Sequence, residues 1–178
     1  KCSPDEIAAY LNEMPAFDPV SGDFAVLDRV GFTLSGSPFV ARGVNFTPPV
    51  DTLQLVAMLD TLAAAGVNTL RVTVPFSDLF TCPGGGAVPL AGPFVRLDAL
   101  VSFARARNLH VIFVLTPLLD QQDALAHTSY IVTRYRDESA VLLWELHGFD
   151  SLERLARTAA AVHQLDTWHP ISAGGMLD

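Results

Sequence analysis

The sequence predicts an α/β fold built on a parallel sheet. Short apolar runs alternate with amphipathic helical stretches from residue 39 to residue 173, the order expected of repeated strand–helix–strand units. The runs are apolar on both faces, as strands are in a sheet covered on both sides. A barrel and an open doubly wound sheet both satisfy this pattern. The first strand ends in Asn45-Phe46-Thr47-Pro48-Pro49 rather than in a G-x-G-x-x-G turn, so the dinucleotide-binding form of the open sheet has no support.

The elements follow in order. Residues 1–30 carry weak periodicity and read as an N-terminal extension, with the remaining domain spanning 31–178. Within the extension, Ser3 to Tyr10 reads as one short helix, Ser3 as its cap and Pro4 at its first position. Phe32–Leu34 and Pro38–Val40 flank Ser35-Gly36-Ser37, a tight hairpin with glycine in the turn. Phe39–Asn45 is the first strand of the repeat. Asp51 caps a helix with Leu55, Leu59 and Leu62 on its apolar face, and Gly66 ends it. Asn68–Val74 is the second strand, and a loop rich in Gly and Pro runs from Pro75 to Pro93. The next helix buries Leu97, Leu100, Val101 and Ala104; Leu109–Thr116 is the third strand. A helix within Ala124–Arg136, a strand at Val141–His147, a helix from about Ser151 to Leu165 and a last strand at Ile171–Ala173 complete the pattern.

Composition limits the function. A chain of 178 residues fits one domain with a sizeable core. Half of its residues are apolar and mean hydropathy is +0.34, high for a chain with 17% charged residues. That excess points to surface buried against a partner. No apolar run is long enough to cross a membrane as a helix. A net charge of −8, with one lysine and ten arginines, argues against nucleic-acid binding, which needs a basic stripe. The chain begins at Lys1, consistent with a removed leader or with trimming. Cys2 and Cys82 are the two cysteines; they form one disulfide or remain two thiols. The expected location is extracellular or in the cell envelope.

Five stretches carry a resemblance. Phe32-Thr-Leu-Ser-Gly-Ser-Pro-Phe-Val-Ala-Arg-Gly-Val-Asn45 resembles the floor hairpin and first strand, which reads roughly R-G-V-N, of the clan-A glycoside hydrolases, above all the cellulase and mannanase group of family 5. Ala65-Gly-Val-Asn-Thr-Leu-Arg-Val72 looks like its second strand, whose arginine sits in the active site. Arg96-Leu-Asp-Ala-Leu-Val-Ser-Phe-Ala-Arg105 resembles its second helix. Ile131-Val-Thr-Arg-Tyr-Arg-Asp-Glu-Ser-Ala-Val-Leu-Leu-Trp-Glu-Leu146 is similar to the approach to the fourth strand, and Leu165-Asp-Thr-Trp-His-Pro-Ile-Ser172 to the turn into the fifth. The matches are collinear. The resemblance implies a partial, half TIM-type (β/α) barrel of about five parallel strands with a small N-terminal hairpin.

The same resemblance exposes departures. The family's fourth strand runs W-E-L-x-N-E and ends on the general acid/base. Here Trp144-Glu145-Leu146-His147 is followed by Gly148-Phe149, so a phenyl ring stands at the acid/base position. The third strand often ends in histidine in the family; Thr116 stands there. The family's nucleophilic glutamate comes from a seventh strand, beyond the end of this chain, and retaining hydrolysis needs two carboxyls about 5–5.5 Å apart. No catalytic residue is therefore assigned. The leading expectation is a catalytically inactive glycosidase-like domain acting as a structural or protein-interaction subunit, as a homodimer or in a larger assembly. The alternatives are a hydrolase acting on β-linked polysaccharide whose remaining strands lie elsewhere, and a non-catalytic carbohydrate-binding module.

Candidate binding residues are Asn45, Arg71, Thr116, His147 and Phe149, since barrels gather ligands at the carboxyl ends of their strands. Each also has a plainer role. Arg71 and Glu145 read as members of buried ion pairs, and Asp150 as the cap of the fourth helix of the repeat. Trp144, Phe149, Trp168 and Phe46 form either a sugar-stacking platform or core. The histidines show no metal-ligand spacing, and Gly84-Gly85-Gly86 lacks the Lys-Ser/Thr that would make it a phosphate cradle. No cofactor or metal is expected. Asn45-Phe46-Thr47 matches the glycosylation sequon.

Overall fold

The computed structural model describes residues 2–83, 87–116 and 121–174. The glycine run at 84–86 lies outside them. Helix α1 (Pro4–Glu13) begins on a capping box: the Ser3 hydroxyl accepts from the Glu6 amide at 3.3 Å and the Glu6 carboxylate accepts from the Ser3 amide at 2.7 Å. The chain then crosses to the sheet floor. There the Val20 amide donates to Glu138 at 3.1 Å, and the Ser139 amide donates to the Val20 carbonyl at 3.0 Å.

Strand β1 (Val26–Leu27) pairs antiparallel with β2 (Phe32–Leu34), which pairs with β3 (Ser37–Phe39). The hairpin turn is Ser35-Gly36 with φ of 51° and 73°, the left-handed pair that a two-residue turn of matching twist requires. The expected hairpin is thus the core of a three-stranded sheet. The expected first strand, Phe39–Asn45, divides: Phe39 stays with the hairpin, and only β4 (Gly43–Asn45) joins the main sheet.

The main sheet is parallel, in the order β10-β9-β8-β5-β4. Its chain path is β4, α2 (Thr52–Ala64), β5 (Thr69–Thr73), α3 (Phe76–Leu79), β6 (Phe80–Thr81), β7 (Val88–Pro89), α4 (Ala91–Arg105), β8 (His110–Leu115), α5 (Gln121–Tyr135), β9 (Val141–Leu146), α6 (Leu152–Leu165) and β10 (Ile171–Ala173). Asp51 caps α2 by accepting from the Gln54 amide at 2.7 Å, and Gly66, at φ 81°, turns the chain out of it.

Two expectations are corrected. Asp150 does not cap α6; Ser151 does, accepting from the Arg154 amide at 3.3 Å, while Asp150 pairs with Arg154 at 2.7 Å one turn on. A hydroxyl at the cap position excludes its neighbour from that role. The 75–93 segment is not wholly loop. Its apolar residues Phe76, Leu79, Phe80 and Val88 are buried, and burying them draws one helical turn and a two-stranded ribbon out of a Gly- and Pro-rich stretch.

Alternation along the strands separates two faces. Leu70, Val72, Val111, Phe113, Leu115, Trp144 and Leu146 are fully buried in the core with the helices. Arg71 and Glu145 lie on the opposite side and remain partly accessible. The core holds satisfied polar groups. Arg134 pairs with Asp98 at 2.6 Å, and Tyr135 donates to the same carboxylate at 2.7 Å. Glu138, fully buried, pairs with Arg105 and accepts the Val20 and Ala140 amides.

His127 is a titratable core group. Its Nε2 donates to the Val74 carbonyl at 2.8 Å, which leaves Nδ1 unprotonated and, among the described residues, without a partner beside Phe76 and Phe80. Burial, only partly opposed by the Val74 carbonyl, pushes its pKa down to about 4 from an ordinary value of 6.5. The unfolded chain therefore binds a proton that the folded chain refuses. Stability is complete above pH 6.5 and falls as pH drops from there towards 4, by on the order of 3 kcal/mol. Urea unfolding across that window should show the slope, and His127→Gln should flatten it. An equal slope in the variant would place the effect elsewhere, His110 being the other histidine that burial holds low.

Candidate active face at the carboxyl ends of the strands

The open face of the sheet carries a built polar cluster. Arg71 on β5 reaches across β8, over Ile112 and Val114, to Glu145 on β9. The pair is bidentate: Nε to Oε2 at 2.8 Å and Nη2 to Oε1 at 2.6 Å. The remaining arm, Nη1, donates to Asn45 Oδ1 at 3.0 Å. Fork-to-fork pairing fixes both planes and raises the strength of each bond. The Arg71 hydrogen bonds, outweighing partial burial, hold the Glu145 carboxyl below its usual range, and Glu145 in turn raises Arg71. Glu145 is thus a fixed carboxylate, as expected of a strand glutamate paired with an arginine.

His147 follows β9. Its amide donates to the Leu115 carbonyl at 3.1 Å, and its Nδ1 lies 3.6 Å from Glu145 Oε1. Gly174 closes the far side. A Cβ there would sit 2.8 Å from Glu145 Oε1 and collide with His147 Nδ1, so any larger residue would have to displace this pair. Sequence reasoning passed over Gly174; its position just past the last strand was the available signal.

Of the five candidate residues, the structure gathers Asn45, Arg71 and His147 around Glu145. Thr116 stands one residue past β8. Phe149 is 3% exposed and packs in the apolar core. The four proposed platform rings form no common surface: Trp144, Phe149 and Phe46 are buried, while Trp168 is exposed and stacks on Phe24 at 5.4 Å.

Beside the cluster, at the ends of β4 and β5, a cleft of about 490 Å³ runs from Asn45 and Arg71 past Thr73 to Asp78 and Arg96. Neither Asp78 nor Arg96 was singled out in the sequence. Among the described residues, no group of His, Cys, Asp and Glu could hold a metal ion. Nor is any helix among them long and apolar enough to cross a membrane.

A five-stranded parallel sheet with its helices and a floor hairpin define a partial (β/α) barrel, with a polar cluster at the strand ends. Known proteins agree. The chain is 24% identical to a mannan endo-1,4-beta-mannosidase F of Aspergillus clavatus, over 86% of this chain and 47% of that one. A mutant of the family 5 mannosidase from Rhizomucor miehei in complex with mannosyl-fructose superposes with a TM-score of 0.66 at 15% identity, over 84% of this chain and 55% of the other. A family 5 glycoside hydrolase from Bacteroides vulgatus gives 0.69 at 17% identity, over 89% and 41%. No family model matches the sequence. The chain spans about half the length of these relatives.

Proposed function

We propose that this chain is a glycosidase-like domain that binds a saccharide at the carboxyl face of its sheet and does not supply the proton that glycosidic cleavage needs. The observation that carries the reading is the state of Glu145. Its carboxylate is ionised and locked by two hydrogen bonds to Arg71, whereas a general acid must hold a proton near neutral pH. Phe149, at the position where the resembled enzymes carry that acid, lies in the core. What remains on the face is a set of fixed donors and acceptors suited to sugar hydroxyls: Asn45, Arg71, Glu145 and His147.

That polarity also favours a saccharide over a protein partner on this face, because the centres of stable protein interfaces are depleted in charge. The Cys2–Cys82 bridge supports placing the domain outside the cytoplasm.

Titration with a mannose oligomer, followed by amide NMR, is expected to shift Asn45, Arg71 and His147. Incubation with an aryl β-mannoside should release no aryl alcohol above buffer, since losing acid/base help alone costs roughly 10²- to 10⁴-fold. Shifts confined to the 32–39 hairpin would remove the binding face. Turnover abolished by Glu145→Gln would show that the carboxylate is catalytic after all.

A further inference from the structure

We propose that the saccharide this cleft takes is anionic, a uronic-acid-bearing chain, and that Arg96 is the residue that selects it. The inference rests on the cleft being a saccharide site, and it adds the charge of the ligand. The chain carries an excess of acid, net −8, and its arginines are mostly matched: Arg71, Arg105, Arg107, Arg134, Arg136, Arg154 and Arg157 each face a carboxylate. Arg96 faces none among the described residues, although it lines the 490 Å³ cleft and is exposed to it. Asp78 lines the same cleft but makes its hydrogen bond to the Ser77 hydroxyl at 2.9 Å and is not within ion-pair distance of Arg96.

Asp78 keeps its negative charge in the same cleft, but Arg96 has no ion-pair partner there among the described residues. Arg96 lies near the start of α4, a helix with no acidic residue in its first turn and no side-chain cap. The helix therefore adds positive potential rather than cancelling it. At the other end of the cleft Arg71 is neutralised by Glu145, so it offers hydrogen bonds without net charge. The Arg71 end of the cleft thus suits hydroxyls, and the unpaired guanidinium of Arg96 suits an anionic group. A planar guanidinium matches a carboxylate with two parallel hydrogen bonds. A uronic acid carries both groups on one ring or on neighbouring rings of a chain.

Calorimetric titration of the intact chain with a galacturonic-acid oligomer and with a neutral mannose oligomer of equal length tests this. The acidic oligomer is expected to bind about tenfold more tightly at low salt, the size of one charge-assisted pair, and to lose most of that margin at about 0.5 M salt. Arg96→Gln should abolish the margin by weakening the acidic oligomer more than the neutral one. Equal binding of the two oligomers, or a margin that survives Arg96→Gln, overturns the charge selection while leaving the cleft as a sugar site. Binding of neither oligomer overturns both readings.

Discussion

Asp166→Ala is expected to lower folding stability by about 3–5 kcal/mol, the range for removing one partner of a buried charged network. A domain of this size would then melt roughly 10 °C earlier. The carboxylate is fully buried and takes four donors. Oδ2 accepts the Trp144 indole N–H at 2.7 Å and His169 Nδ1 at 2.6 Å; Oδ1 accepts the amides of Trp168 at 2.8 Å and His169 at 3.1 Å. Truncation leaves the indole and both His169 donors unpaired away from water, and an unpaired buried donor costs about 1–3 kcal/mol. Trp144 is the largest fully buried side chain and stacks on Phe113 at 5.7 Å, so an unpaired indole disturbs the sheet centre directly. Burial alone would raise the Asp166 pKa; the hydrogen bond and charge of His169, with the indole, outweigh it and hold the carboxyl low. Its contribution is therefore present above the ordinary carboxylate pKa and is lost as pH falls through the lowered one. Asp150→Ala is the control, since that exposed pair with Arg154 is worth at most about 1 kcal/mol. A loss at Asp166 no greater than at Asp150 would mean that the network is ornamental.

The contrast between those two aspartates marks how far the sequence could be read. Features set by a few neighbouring residues were legible. The Ser35-Gly36 turn, the Ser3 cap, the Asp51 cap and the Gly66 exit all depend on local backbone preference. The parallel strands were legible because their apolar runs are uninterrupted. Cap phase was not: Asp150 and Ser151 are both good caps, and only the start of α6 decides between them. The pairing of Arg71 with Glu145 joins residues 74 apart and depends on β8 lying between their strands, so both participants were legible but their bond was not. Arg96 and Asp78 were invisible as site residues for the same reason: their meeting at one cleft is set by how α3 and α4 pack on the sheet. The buried network around Asp166 has no period at all, since its members come from β9 and from the turn before β10.

Replacing both Cys2 and Cys82 by serine should lower stability by about 4 kcal/mol in the chain-entropy account of a loop this long. The bridge joins residues 80 apart with Cα atoms 5.5 Å apart. It links the segment that leads into α1 to the ribbon that carries β6 and β7, and α1 packs against β7. The same 75–93 stretch supplies Pro75, Asp78 and Leu79 to the cleft, so two outcomes can be told apart. If the bridge acts by restricting the unfolded chain, the serine variant unfolds at lower urea but still binds sugar with unchanged affinity, because the folded cleft is the same. If the bridge instead holds the ribbon in place, affinity falls along with stability and amide exchange rises across 76–89. The aromatic packing beneath the ribbon favours the first. Phe80 meets Phe76 at 5.5 Å, Phe94 at 5.4 Å and Tyr130 at 5.6 Å, and all three phenylalanines are buried. Lower stability with intact binding is therefore the expected result, and a variant as stable as the parent chain would show that the extension and the ribbon are held by packing alone.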